Sequence, residues 1–227
     1  EKPWYDFTYP YPGLYGNETS NRAGKTKKIL VGNSGDPSNN HFYMLEMLSK
    51  KSDISEYQIV MPLAYNFKPA YKQELLKKIA ELGLADQVIF HEKFILPEDY
   101  LKLINDVDML VMGHDRQQAI GNTLMGLYSG KQIFIKDKIN LNGKLVENPT
   151  WSFLLDNGFN LQSLDQFSES TSLSDLPVVD TKTWQNHQQI IRTKFGLSAR
   201  AELFKNSCKL IAESVQIEKE EQELQPV

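Results

Sequence analysis

Ile29-Leu-Val-Gly-Asn-Ser-Gly-Asp-Pro-Ser-Asn-Asn-His41 sets the frame for the rest of the chain. An apolar strand stops at Gly32, small and polar residues follow, and an amphipathic helix then begins at Asn40. Two readings fit such a junction. One is a tight turn with a helix cap, since Asn, Asp and Ser side chains bond their own backbone. The other is an anion cradle, because amides and hydroxyls at a helix N-terminus donate to phosphate. In the second reading Gly35 frees the backbone, and Asn33, Ser34, Asp36 and Ser38 face a diphosphate or the sugar beside it. The stretch is neither the G-x-G-x-x-G fingerprint nor a P-loop, which would end in Lys-Ser or Lys-Thr.

Downstream, apolar runs and helical patterns alternate. Strands are expected at Lys28–Asn33, Tyr57–Pro62, Gln87–His91, Val107–Met112 and Gln132–Lys136. Helices are expected between them at Asn40–Lys50, Pro69–Leu82, Pro97–Asn105 and Ile120–Tyr128. Short apolar strands separated by helices imply βαβ units, and right-handed crossovers place helices on both faces of a parallel sheet. The pattern then loosens. Pro149–Asn157 reads as a helix, Phe159–Leu161 as a short strand, and Ser168–Pro177 as a polar loop. Thr181–Val215 reads as helical with a break near Gly196, and the acidic end from Glu218 is expected to fray. The opening, dense in Pro and aromatic residues, has no strand or helix period and reads as a linker.

The composition narrows the function. A net charge of −4 speaks against a nucleic-acid partner, which calls for a basic face. A single cysteine, Cys208, excludes an internal disulfide and fits a reducing compartment. No apolar run reaches transmembrane length, and a soluble chain is expected. The four histidines are scattered and no Asp-x-Asp pair marks a divalent-metal nucleotide site, so no metal is expected.

In an open parallel sheet, ligands bind beyond the carboxyl ends of the strands. Gly113-His-Asp-Arg-Gln-Gln-Ala-Ile-Gly-Asn-Thr123 follows the fourth strand. Arg116 can grip a phosphate with two prongs. Gln117 and Gln118 can read oxygens, Gly121, Asn122 and Thr123 offer amides from the helix end, and His114 is a candidate sugar contact. The plainer reading pairs Arg116 with a surface carboxylate. After the third strand, His91, Lys93 and Phe94 are candidates for the nucleoside, although Phe94 serves equally as core. Tyr65 and Asn66 follow the second strand. Trp151, in Asn148-Pro-Thr-Trp151, is either packing or a platform for a sugar.

Three of these segments carry a resemblance. The opening stretch, Arg116-Gln-Gln-Ala-Ile-Gly121 and Asn148-Pro-Thr-Trp151 resemble, in order, motifs of glycosyltransferase family 56, the TDP-Fuc4NAc transferases also described as 4-alpha-L-fucosyltransferases. Phe94-Ile-Leu-Pro-Glu-Asp-Tyr100 is similar to donor domains of GT-B enzymes. The resemblance implies one Rossmann-like half of a GT-B glycosyltransferase, at 28–165, with an interdomain linker remnant at 1–27 and appended C-terminal helices and an acidic tail at 166–227. It implies a TDP-sugar as substrate, no metal or other cofactor, and inversion at the anomeric carbon. The catalytic base is expected in an N-terminal half that this chain lacks. The implied acceptor is a lipid-linked saccharide of enterobacterial common antigen, met at the cytosolic face of the bacterial inner membrane by a peripheral enzyme. Between the motifs the sequence departs from that pattern, and Asp137–Glu147 is longer and more polar, so another TDP- or UDP-sugar for a capsule or O-antigen stays open. A nucleotide-sugar-binding module without turnover and a purely structural protein are the rivals. A dehydrogenase fits poorly, because Met61-Pro-Leu-Ala stands where a ribose-binding acid belongs.

Overall fold

The computed structural model describes residues 26–66 and 68–223, so nearly all of the expected linker at 1–27 lies outside the described residues. By their contacts the described residues divide at Gln189 into two units. The first runs β1 (Lys27–Val31), α1 (His41–Ser49), β2 (Tyr57–Pro62), α2 (Pro69–Glu81), β3 (Val88–His91) and α3 (Pro97–Asp106). It continues with β4 (Met109–Met112), α4 (Ile120–Tyr128), β5 (Gln132–Ile135), β6 (Lys138–Leu141) and β7 (Lys144–Glu147). Next come α5 (Pro149–Asp156), β8 (Gln162–Ser163), α6 (Leu164–Glu169) and α7 (Thr181–Ile190). The second unit holds a π-helical turn at Ile191–Phe195 and the long α8 (Leu197–Glu223). The helix thus continues through 218–223, where fraying was expected, while 224–227 lie outside the described residues. Among the described residues no helix is long and apolar enough to cross a membrane.

The six strands are parallel and lie in the order β3-β2-β1-β4-β5-β8. Strand residues alternate between the faces. Ile29, Ile59, Met61, Met109, Val111 and Phe134 join Met44, Leu45 and Leu48 of α1, Leu75 and Ile79 of α2, and Phe167 of α6 in one core. The residues between them, Leu30, Val60, Leu110 and Ile133, are as deeply buried on the other face. There α4 comes so close that a Cβ on Gly126 would meet Ile133 at 2.8 Å and Leu110 at 3.1 Å. Asp108 bolts the lower end of the β1–β4 pair, its carboxylate accepting the Lys28 amide at 2.7 Å while its own amide donates to the Lys28 carbonyl at 2.8 Å.

Past β5 the structure departs from the sequence reading in three places. Residues 138–147, expected as a loose polar segment, form an antiparallel hairpin, β6 on β7, turned by Asn142 and Gly143 at positive φ. The last strand is Gln162–Ser163 rather than Phe159–Leu161, because Phe159 is 3% exposed and drops into the interior. The expected loop at Ser168–Pro177 begins as helix, since Ser163 and Gln166 form a reciprocal capping box that starts α6. The loop after it is tied down by Asp53, which accepts from the Ser172 hydroxyl and the amides of Leu173 and Ser174.

Two histidines are wholly buried, His41 opening α1 and His114 following β4. Burial pushes both well below the ordinary histidine value, to about 4. Both rings are therefore neutral in the fold near pH 7, whereas in the unfolded chain they protonate near 6.5. Stability is complete above that value and falls as the pH drops from 6.5 towards 4, where the unfolded state takes up protons that the fold refuses. The expected loss is about 3 kcal/mol per histidine at the bottom of that window. Carboxylates such as Asp36, held below 3.8, act beneath it. Urea titrations across the window measure the slope. His41→Asn and His114→Asn are each expected to flatten it, and a slope equal in all three proteins would contradict the assignment.

Candidate functional site at the fork between β1 and β4

After β1 the chain proceeds outward to β2 and β3, and after β4 to β5 and β8. The loops that follow β1 and β4 thus part in opposite directions and leave a crevice, the place where open α/β sheets take ligands. Gly32 ends β1 at φ +67°, and a Cβ on it would lie 2.7 Å from His41 Nε2 and 2.9 Å from Asn39 Oδ1. Gly113 ends β4, and a Cβ there would meet the Met44 side chain at 3.0 Å and the Asn39 carbonyl at 3.1 Å. The two glycines let the first loop and α1 sink onto the strand ends. Gly35, expected to supply the unusual torsion, does not. It is not among the positive-φ residues, and it donates its amide to the Tyr65 carbonyl at 2.8 Å.

Asn39, wholly buried, organises the first loop. Its Oδ1 accepts the Asn33 amide at 3.0 Å, and its Nδ2 donates to Ser34 Oγ and the Asp36 carbonyl, both at 3.0 Å. Asp36 caps the single turn Pro37–Asn39 through the Ser38 amide. Next to Asn39, Asn40 has φ +56°, a left-handed conformation that Asn tolerates better than most side chains. Its Nδ2 crosses to the other loop, donating to the Gly113 carbonyl at 2.7 Å and to Asp115 at 2.8 Å.

Gln118 joins the loops from the opposite side. Its Nε2 donates to Asn33 Oδ1 at 2.9 Å, while its Oε1 accepts from Ser38 Oγ at 3.1 Å and Arg116 Nε at 2.9 Å. Arg116, 59% exposed, also reaches Asp36 at 3.4 Å. The Ser38 hydroxyl and amide, aided by Arg116, hold the Asp36 carboxyl below the usual range, so it stays ionised. Asn66 brings the loop after β2 to the same carboxylate at 3.4 Å. The segment before α5 braces the base. Asn148 donates to the His114 carbonyl at 2.6 Å and accepts from Thr150, whose Oγ1 accepts the Gln118 amide at 3.3 Å. Asn148 and Thr150 are both fully buried.

The structure thus brings Asn33, Asp36, Ser38, Arg116 and Gln118 together, with Gln117 exposed beside them. It sets other candidates apart. Ser34 is 3% exposed and faces Asn39. Thr123 is wholly buried, its amide closing the first turn of α4 on the Ala119 carbonyl. Asn122, directly after the half-buried Gly121, donates to the Tyr100 hydroxyl at 2.9 Å. His114 is shut away from solvent with neither ring nitrogen bonded, and what it gives the site is its backbone carbonyl. His91, Lys93 and Phe94 stand at the end of the edge strand β3, separated from β1 by β2; Phe94 is 77% exposed. Trp151 is half-buried in the first turn of α5. The sequence reading missed the structural roles of Asn39, Asn40, Asn148 and Thr150, although each sits inside a motif it quoted. Among the described residues no three His, Cys, Asp or Glu side chains stand together as a metal-ligand set.

Solved glycosyltransferases share this architecture. WaaG, a glycosyltransferase involved in lipopolysaccharide biosynthesis, superposes with a TM-score of 0.58 at 13% identity, over 89% of this chain and 54% of its own. Alr3699/HepE of Anabaena, solved with UDP and glucose, gives 0.60 at 14% identity over 81% of this chain and 49% of its own. A glycosyltransferase from Rickettsia africae gives 0.56 at 16% identity, over 80% and 46%. The chain spans about half the length of these proteins. At such identities the likeness is one of fold, the Rossmann-like half of a GT-B enzyme. The family model described as 4-alpha-L-fucosyltransferase, glycosyl transferase group 56, matches residues 11–182. With that match covering most of its 227 residues, the chain belongs to the group 56 glycosyltransferase family.

Proposed function

We propose that this chain is the donor-binding half of a transferase that moves a TDP-activated deoxy-amino sugar such as Fuc4NAc to a lipid-linked saccharide, at the cytosolic face of a bacterial inner membrane. The observation that carries the reading is the cluster of Arg116, Gln118, Asn33 and Ser38 at the fork of the sheet, where one guanidinium, two carboxamides and a hydroxyl face one crevice. Such a set suits a diphosphate joined to a sugar. Arg116 stands free enough to swing from Asp36 to a phosphate, and it offsets the charge that builds on the departing diphosphate without a metal. Asp36, an ionised acceptor, repels phosphate and suits a sugar hydroxyl or ammonium instead. An acceptor hydroxyl attacks the anomeric carbon from the face opposite the diphosphate. The new C–O bond forms as the old one breaks, its electron pair leaves with TDP, and the hydroxyl proton passes to a base outside this chain. The sugar is inverted.

Calorimetric titration with TDP and UDP tests the donor site. TDP is expected to bind, and Arg116→Ala is expected to weaken it by about 1.5–3 kcal/mol, the range of a charge-assisted bond. An affinity unchanged by that substitution would refute the assigned role. Asp36→Asn removes a competitor for Arg116 and a repelling charge. It is expected to tighten free TDP by about threefold, the scale of an exposed charge pair, and to weaken the intact TDP-sugar relative to TDP. Equal changes for both ligands would argue against a sugar contact at Asp36. Thr150→Val leaves the Gln118 amide without its acceptor. It is expected to weaken TDP several-fold although Thr150 reaches no ligand, and an unchanged affinity would mean that the brace does not set the loop.

A further inference from the structure

The hairpin β6–β7 belongs to neither the sheet nor the phosphate cluster. Its base is pinched where the Asn148 amide bonds the Asp137 carbonyl at 2.8 Å, directly beyond the carboxyl end of β5. Asn148 also grips the loop after β4, so the hairpin rises from the edge of the sheet that carries Arg116. Ile139, 6% exposed, roots it in the protein. From there outward it meets no partner strand, and Leu141 and Leu145 are 57% and 69% exposed. The register puts Leu141 opposite Lys144 on one face and Leu145 opposite Asn140 on the other, so the tip carries a leucine on each side. No acidic residue occurs in 138–146, within a chain of net charge −4. Among the described residues Lys138 and Lys144 form no ion pair, and Glu147, across from Lys138, accepts from Ser152 at the base.

We infer that the β6–β7 hairpin docks this edge of the protein on an anionic lipid surface, its tip leucines entering the headgroup layer and its lysines lying among the phosphates. Apolar side chains on both faces of a tip suit a shallow end-on insertion better than a flat protein partner. Basic side chains bury their stems along apolar surface while their charge stays wet. Attraction to anionic lipid and burial of apolar area add together at such an interface. Docking here would hold the Arg116 crevice beside the membrane. The inference rests on the lipid-linked acceptor proposed above, and it names the element that meets the lipid.

Co-sedimentation of this chain with vesicles tests it, using phosphatidylcholine alone and phosphatidylcholine mixed with phosphatidylglycerol. Binding is expected to the mixed vesicles and not to the neutral ones, and to fall as salt rises. Lys138→Ala and Lys144→Ala are each expected to weaken it about fivefold, and Leu141→Ser with Leu145→Ser to abolish it. TDP titration of the leucine variant is expected to match the parent, which shows that the fold and the crevice survive. No binding to the mixed vesicles, or equal binding by the leucine variant, overturns the inference. So does light scattering in which the leucine substitutions turn a dimer into a monomer, since a second copy would then be what covers the tip. Vesicle binding without TDP binding would support the hairpin while counting against the donor site, and the reverse would sink the hairpin alone.

Discussion

The pairing of β1 with β4 is the constraint on which the rest hangs. Strands adjacent in space but far apart in sequence make their following loops diverge, and only that divergence leaves an opening at the sheet edge. The pair is bolted at its lower end by Asp108 and freed at its upper end by Gly32 and Gly113, whose missing side chains admit Asn39 and α1. Every group assigned to the donor stands on one of the two loops so positioned. A slip in that pairing would turn each strand residue to the opposite face and carry the loops with it.

Within the opening, charge is arranged in opposition. Arg116 and Asp36 lie at the long end of ion-pair distance, and both are open to water, so the pair itself adds little to stability. Its value lies in being easily undone. In the proposed donor complex a diphosphate would give Arg116 a better partner, and the carboxylate it leaves behind would face whatever hangs from the phosphate. Asp115, by contrast, is taken up by Asn40 and Lys136 and belongs to the frame.

Much of this was legible in the sequence. The strands were short apolar runs at regular spacing, and a parallel sheet followed from their alternation with helices, though not the order of strands that sets β1 beside β4. Arg116 and Gln118 stood out because a polar run directly after a buried strand has few structural uses. The bracing residues did not stand out, since Asn40 and Asn148 act on partners 73 and 34 positions away, and nothing local distinguishes them from turn residues. The burial of His114 is likewise a property of what packs over it. The hairpin was different. Asn142-Gly143 between alternating strands is a strong turn signal, set within a segment that is polar on average.

The loops are fastened almost wholly by carboxamides, those of Asn33, Asn39, Asn40, Gln118 and Asn148. An amide side chain offers a donor and an acceptor at once and has no proton to gain or lose in water. These bonds themselves neither titrate nor depend on ionic strength, so the frame keeps its shape as long as His41 and His114 stay neutral inside it. The surroundings can then modulate the charged groups in the crevice without disturbing the geometry in which those groups are held.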